Sequence, residues 1–295
     1  GMILISRPLS GFCLFRGIMR RKIYCESLHY LQKIAPQHSL LRHKAELFLR
    51  QYVLNKTEIP YVEMFVTTRC NLRCKYCSNL IPYLTVKEDE RFEDVAEDLR
   101  LLLEKVDCIY RLKIHGGEVF LHPELKTIVE FVDSQPKIKS VRIATNGSIV
   151  PSQEVLGCLA NSKAVVQISD YSFTQNKREE LLKALTANGV KYIFLAGQEW
   201  RDMGEVAARK ESSYEECSIK RCVSLCDGKI YLCSRTAIIA KLGLCADEGI
   251  NVGLPRREFA KELKKLYSGK YSSACMMCDG DTERAQIIKA GEQIV

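Results

Sequence analysis

From residue 61 onward the chain switches repeatedly between two spacings of apolar residues. Short runs at 61–67, 111–115, 140–144, 164–169 and 191–196 are rich in β-branched and aromatic residues and read as strands. Between them, 91–106, 123–134, 152–160 and 176–188 space their apolar residues as half-buried helices do. Strand–helix–strand alternation predicts right-handed crossovers and a parallel sheet. The expected fold class is α/β: a partial (β/α), TIM-like barrel of about five to six parallel strands, followed by a small cysteine-rich α+β extension. In such barrels chemistry gathers where the strands end, so the segments just after each strand carry the functional question.

Residues 1–57 depart from this alternation. Helical spacing over 26–53 is interrupted by Pro36, which predicts two short helices in a basic, mostly helical extension. Nine Lys/Arg against Glu26 and Glu46 give residues 1–55 a charge of +7, out of +8 for the whole chain. A solvated helical face accounts for that charge. Nucleic acid or a membrane surface would also attract it, but no nucleic-acid motif accompanies it. Residues 58–205 then hold the barrel pattern and 206–295 the extension.

Composition places the chain among ordinary globular proteins, with 46% hydrophobic and 27% charged residues. No apolar run approaches the ~20 residues of a membrane span. The apolar stretch 2–15 is broken by Arg7 and Pro8 and lacks a small-residue cleavage site, which argues against a signal peptide. The 14 cysteines change the picture. They fall in short-spaced groups within a chain too long to need disulfide staples, and so point to metal clusters in a reducing cytoplasm.

The first group directly follows the first strand. Cys70, Cys74 and Cys77 stand in Thr-Thr-Arg-Cys-Asn-Leu-Arg-Cys-Lys-Tyr-Cys, a C-x3-C-x2-C spacing. One helix face could hold all three, but Asn71, Arg73 and Lys75 are too polar for a helix core. A zinc site would want a fourth Cys or His nearby, and none lies between 78 and 106. An all-cysteine [4Fe-4S] cluster takes four thiolates, one per iron. Three would leave one iron open to a ligand that is not protein.

This string is similar to the cluster loop of the radical S-adenosylmethionine (radical SAM) superfamily. The resemblance implies that the open iron chelates the amino and carboxylate groups of SAM and that Tyr76 packs near the adenine. After the second strand comes His115-Gly116-Gly117-Glu118, which matches the element that holds the SAM amino group in that family. Strand ends at Asn146 and at Ser169-Asp170 match positions that contact the SAM carboxylate and ribose. His115 and His122 read as structural.

Seven cysteines follow residue 200. Cys217, Gly228 and Cys233, with Cys275 and Cys278 later, resemble the twitch or SPASM extensions of radical SAM enzymes, and imply a second, fully ligated [4Fe-4S] cluster. Cys222 and Cys226 are left over. Three readings stand side by side: Cys222 replaces Cys217 as a ligand, one of the pair donates hydrogen to a substrate radical, or both simply pack. Asp227-Gly228 is a hairpin signal between them and Cys233. A zinc ribbon is a further option, although only one C-x2-C pair exists in this region.

The implied activity is reductive cleavage of SAM to a 5′-deoxyadenosyl radical that takes a hydrogen atom from a substrate. An external donor such as flavodoxin or ferredoxin would supply the electron. Dehydrogenation or epimerisation of a small molecule, such as a sugar, cyclitol or glycan precursor, is the first expectation. Ribosomal-peptide or protein maturation is the alternative, set back because residues 1–57 show no winged-helix pattern. A non-enzymatic zinc module is the competing class.

Overall fold

The protein's structure, a computed structural model, describes residues 56–169, 171, 174–195, 199–220, 222–267 and 272–294, together with Ile23 and Leu49. Contacts divide the chain into Gly1–Glu58 and Ile59–Val295. The expected helical extension at 1–57 lies almost wholly outside the described residues, as does Asp170.

Five strands carry the barrel pattern: β1 (Glu58–Thr67), β2 (Cys108–Gly116), β3 (Val141–Thr145), β4 (Ala164–Ser169) and β5 (Tyr192–Leu195). Four helices alternate with them: α1 (Phe92–Lys105), α2 (Leu125–Asp133), α3 (Gln153–Ala160) and α4 (Gln175–Ala187). β6 (Glu199–Arg201) then leads into β7 (Val223–Cys226), β8 (Lys229–Tyr231), α5 (Ser234–Lys241), β9 (Ile250–Asn251), α6 (Arg256–Tyr267) and β10 (Ile287–Lys289). The main sheet has eight strands in the order β5-β4-β3-β2-β1-β7-β8-β9. β2–β3, β3–β4, β4–β5 and β1–β7 pair in parallel, whereas β7–β8–β9 are antiparallel. The α/β, mostly parallel architecture is the one the alternation predicts. The cysteine-rich region does more than append to it, since β7 lies directly against β1 with Val62 opposite Val223.

Side-chain alternation divides the sheet into two faces. Val62, Met64 and Val66 of β1, Leu112 and Ile114 of β2, and Val166 and Ile168 of β4 share one buried cluster with Leu99, Ile128, Leu156 and Leu181 from the helices. This helix-covered face is the core. The alternate residues, Glu63, Lys113, His115, Gln167, Ser169 and Ser224 with the apolar Phe65 among them, make a mainly polar set on the opposite, concave face. Helix starts are fixed locally: Ser152 accepts from Val155 N–H to cap α3, and the Glu124 carboxylate accepts from Phe92 N–H at 3.0 Å at the start of α1. Asp227 and Gly228 both have positive φ, at 49° and 69°, and make the tight turn from β7 to β8. Such a turn needs left-handed backbone, which glycine supplies without strain.

Candidate functional site

The loop after β1 is tied on both flanks. Gly117 N–H donates to the Thr67 carbonyl at 2.9 Å and Glu118 N–H to the Arg69 carbonyl at 2.8 Å, so the end of β2 grips the start of the loop. A segment more than two hundred residues later grips its middle. Lys75 N–H donates to Glu292 O (2.7 Å), and Ile294 N–H donates to Arg73 O (2.8 Å). The Gln293 side chain accepts from Arg73 N–H at 2.7 Å and donates Nε2–H to Cys74 Sγ at 3.3 Å. Sequence spacing held no trace of this clamp.

Cys70, Cys74 and Cys77 line one solvent-open cavity of about 880 Å³ together with Gly116, Gly117, Asn146, Ser169 and Tyr171. Burial pushes the Cys70 and Cys74 thiols up to about 11, and the Gln293 amide pulls Cys74 part of the way back. Burial raises Cys77 as well. Thiols held up in this way favour their protons until a metal displaces them, so assembly of a metal centre here would release protons. Among the described residues no three His, Cys, Asp or Glu side chains converge on a point that one ion could occupy. Three separate thiols on one wall fit a cubane cluster, which presents a different iron to each thiolate.

Glu118 is placed differently from the expected amine ligand. It is 0% exposed beneath the cavity wall. Its Oε1 accepts from Phe120 N–H and Thr145 Oγ1–H (3.1 and 2.8 Å), and its Oε2 accepts from Asn146 N–H (2.8 Å). Burial pushes its carboxyl up to about 7, against the pull of those donors. In this structure Glu118 thus locks the end of β2 to the end of β3. Asn146 in turn points its amide at Cys70 Sγ (3.9 Å) and Asn71 Oδ1 (3.0 Å). Tyr76 is half-buried, with Lys75 Nζ 4.9 Å from its ring centroid, and does not line the cavity.

Polar side chains from the concave face complete the wall: Lys113, His115 and Gln167, with Trp200 edge-on to Tyr171 at 5.5 Å. Lys113 Nζ pairs with Glu63 at 2.9 Å. Burial opposes ionisation of Glu63, and His115 and Lys113 overcome it, holding the carboxyl down to about 2. Because burial also pushes His115 down to about 4, Lys113 is the cation that acts at neutral pH. Reading the motifs alone passed over Glu63, Lys113 and Gln167. The signal available was a polar residue at the alternate position of an otherwise apolar strand.

A second cavity, of about 400 Å³, is lined by Cys217, Cys233, Cys275 and Cys278. Cys233 caps α5: its sulfur accepts from Thr236 N–H, while Thr236 Oγ1 accepts from Cys233 N–H at 3.2 Å. A helix N-terminus favours a thiolate, although burial still holds Cys233 up to about 12 and Cys275 up to about 11. Cys278 Sγ accepts from Gly280 N–H at 3.3 Å. Neither Cys222 nor Cys226 lines either of these two cavities. Cys226 is buried among Phe65, Tyr231 and Ile238. Cys222 is half-buried and senses the charges of Glu63, Lys113 and Cys217.

The radical SAM superfamily model matches residues 64–169. The GTP 3′,8-cyclases of Chlorobaculum tepidum and Pelotomaculum thermopropionicum are 33% and 32% identical over 100 and 101 residues, about 32% of this chain in each case. The matches span 28% and 30% of those proteins, less than a third of the length of either. Among solved structures, native anSMEcpe with bound AdoMet and Cp18Cys peptide aligns over 76% of this chain and 90% of its own, with a TM-score of 0.52 at 13% identity, which is a likeness of fold. The matched span runs from the middle of β1 through the three-cysteine loop and the β2 grip to the end of β4: the chain carries a domain of the radical SAM superfamily.

Proposed function

We propose that the protein is a radical SAM enzyme with one auxiliary [4Fe-4S] cluster that dehydrogenates a neutral, hydroxyl-rich small molecule such as a sugar, cyclitol or glycan precursor. One observation carries this reading: the two cysteine sets line two separate cavities, three thiols around an open one and four around a smaller one. Cys70, Cys74 and Cys77 would hold a cluster with one iron free for SAM. Cys217, Cys233, Cys275 and Cys278 would ligate every iron of the other, the closed arrangement of an electron carrier. When bound, the first cluster and SAM supply a 5′-deoxyadenosyl radical.

The chain's own residues orient the rest. Asn146, Gly116, Gly117 and Ser169 line the same cavity as the three thiols and would seat SAM, as would Tyr171. Lys113 is the sole Lys or Arg on the described wall, and Glu63 neutralises it. The floor therefore offers hydrogen bonds without net charge, which suits a polyol better than an anion. Oxidation of such a carbinol balances as a hydrogen atom to the radical, a proton to solvent and one electron to the auxiliary centre. Neither Cys222 nor Cys226 lines the three-thiol cavity, and Cys226 is buried among Phe65, Tyr231 and Ile238, which favours dehydrogenation over epimerisation. The cyclase likeness is confined to about a third of the chain, so the GTP of that name is not carried over.

Anaerobic reconstitution followed by iron and sulfide analysis tests the centres: about eight irons per chain are expected for two cubanes. Reduced protein with SAM should then form 5′-deoxyadenosine when given a cyclitol or sugar. Formation of it only with a peptide would move the assignment to a maturase. Zinc in place of iron would end the proposal.

A further inference from the structure

Arg235 stands between the two cavities. It is the second residue of α5 and only 3% exposed. Its side chain lines the four-thiol cavity. Its Nη1–H donates to the carbonyl of Ser78 at 3.4 Å, and Ser78 follows Cys77 and lines the three-thiol cavity. Nη2–H donates to the Gly204 carbonyl at 2.5 Å, while Nε finds no acceptor among the described residues. Asp279, a carboxylate within reach of its charge, is itself held by Arg209 at 2.6 Å. The Arg235 charge is also felt at both Cys77 and Cys278, one thiol from each set.

A guanidinium keeps its charge when buried. Burying one with only two carbonyls as acceptors, a donor left over and the one carboxylate within reach already paired to Arg209 is unfavourable. The arrangement makes physical sense where anions arrive after folding. Four thiolates on a cubane leave it negative overall, and three plus the SAM carboxylate bring similar charge to the other. We propose that Arg235 is a positioning residue that serves as the shared counter-cation of both clusters, raising the reduction potential of the auxiliary cluster most and keeping the Cys77 side of the first loop seated against it. This rests on the two-cluster reading. A nearby cation stabilises the reduced, more negative form of a cluster, so its loss must lower the potential.

The test uses the full chain, reconstituted without oxygen, as wild type, Arg235→Gln and Arg235→Lys. Iron is counted first, and each cluster is then titrated with dithionite under mediators and followed by electron paramagnetic resonance. Arg235→Gln should hold about eight irons yet show a tenfold or greater fall in the reduced-to-oxidised ratio of the auxiliary cluster at fixed potential, 59 mV for one electron. The first cluster should shift in the same direction by less, and Arg235→Lys should stay near wild type. Should Arg235→Gln fail to take up iron, uptake by Arg235→Lys with matching circular dichroism of both apoproteins would show that charge is what the clusters require. Wild-type potentials in an eight-iron Arg235→Gln protein would overturn the proposal, and so would failure of Arg235→Lys to assemble either cluster. A wild-type protein with about four irons would instead break the two-cluster reading itself and remove the shared role with it.

Discussion

Replacing Gly117 by alanine separates the cluster loop from the strand that grips it. A Cβ at this position would stand 2.1 Å from the Arg69 carbonyl oxygen and 2.9 Å from Cys70 Cβ, where ordinary contact begins near 3.4 Å. Both obstacles belong to the loop, and the nearer is backbone, so loop and strand end must part by about 1.3 Å. The two hydrogen bonds across the gap, at 2.9 and 2.8 Å, would then exceed the ~3.2 Å limit of a sound N–H···O bond. Each contributes about 0.5–1.5 kcal/mol, and overpacking adds about 1–3 kcal/mol. The sum is a loss of about 2–6 kcal/mol, or roughly 4–24 °C in the melting temperature of the apoprotein at the scaling for a unit of this size. Cys70 moves with Arg69, and displacements near 1 Å at a reacting centre cost on the order of a hundredfold in rate. Calorimetry of the anaerobic apoprotein gives the first number. Iron after reconstitution should fall from about eight towards four, because the four-thiol cavity is untouched. An alanine variant with wild-type melting and a full complement of iron would refute the geometry on which this rests.

Changing Cys275 and Cys278 together to alanine should halve the iron, from about eight to about four per chain, and Cys222→Ala should leave it unchanged; iron analysis decides both, and full iron in the double variant would reject the four-thiol site. Lys113→Met strands the Glu63 carboxylate and should cost about 3–5 kcal/mol in urea unfolding at pH 7, with Glu63→Gln restoring part of the loss in the double variant. Since Glu63 is held down to about 2 in the fold, its stabilisation is full above the ordinary carboxylate value near 4.5 and disappears as pH falls towards 2, so the gap between wild type and Lys113→Met should close in acid. Gln293→Ala removes the donor to Cys74 Sγ, so the first cluster should lose its absorbance faster in air while the second keeps its rate; equal rates would show that this hydrogen bond does not protect it.

Much of the barrel was readable because its signals are local. The period of apolar residues over ten positions marks β4 at 164–169 with the bounds the structure shows, and the three-cysteine spacing belongs to a single loop. What escaped depends on contacts made at a distance. Gln293 meets Cys74 across 219 residues and Lys113 meets Glu63 across 50, and neither pairing leaves a periodic trace. Cys217 and Cys222 offer alternative spacings to Cys233 that look equally feasible on paper. The fold separates them: Cys217 follows a 3-10 turn (Tyr214–Glu216) into the cavity wall, whereas Cys222 immediately precedes β7 and shares its alternate face with Ser224 and Cys226. Glu118 shows the limit of a motif, since its position was legible but its three hydrogen bonds to Phe120, Thr145 and Asn146 were not. The concave face left a sign of another kind. Glu63, Lys113 and Gln167 each interrupt a strand whose flanking residues, Val62 and Met64, Leu112 and Ile114, Val166 and Ile168, are all core. A polar side chain in a buried strand costs several kcal/mol unless it finds a partner or a wet cavity, so three such interruptions on neighbouring or next-neighbouring strands call for both on that face: Glu63 and Lys113 find each other, and Gln167 faces the cavity.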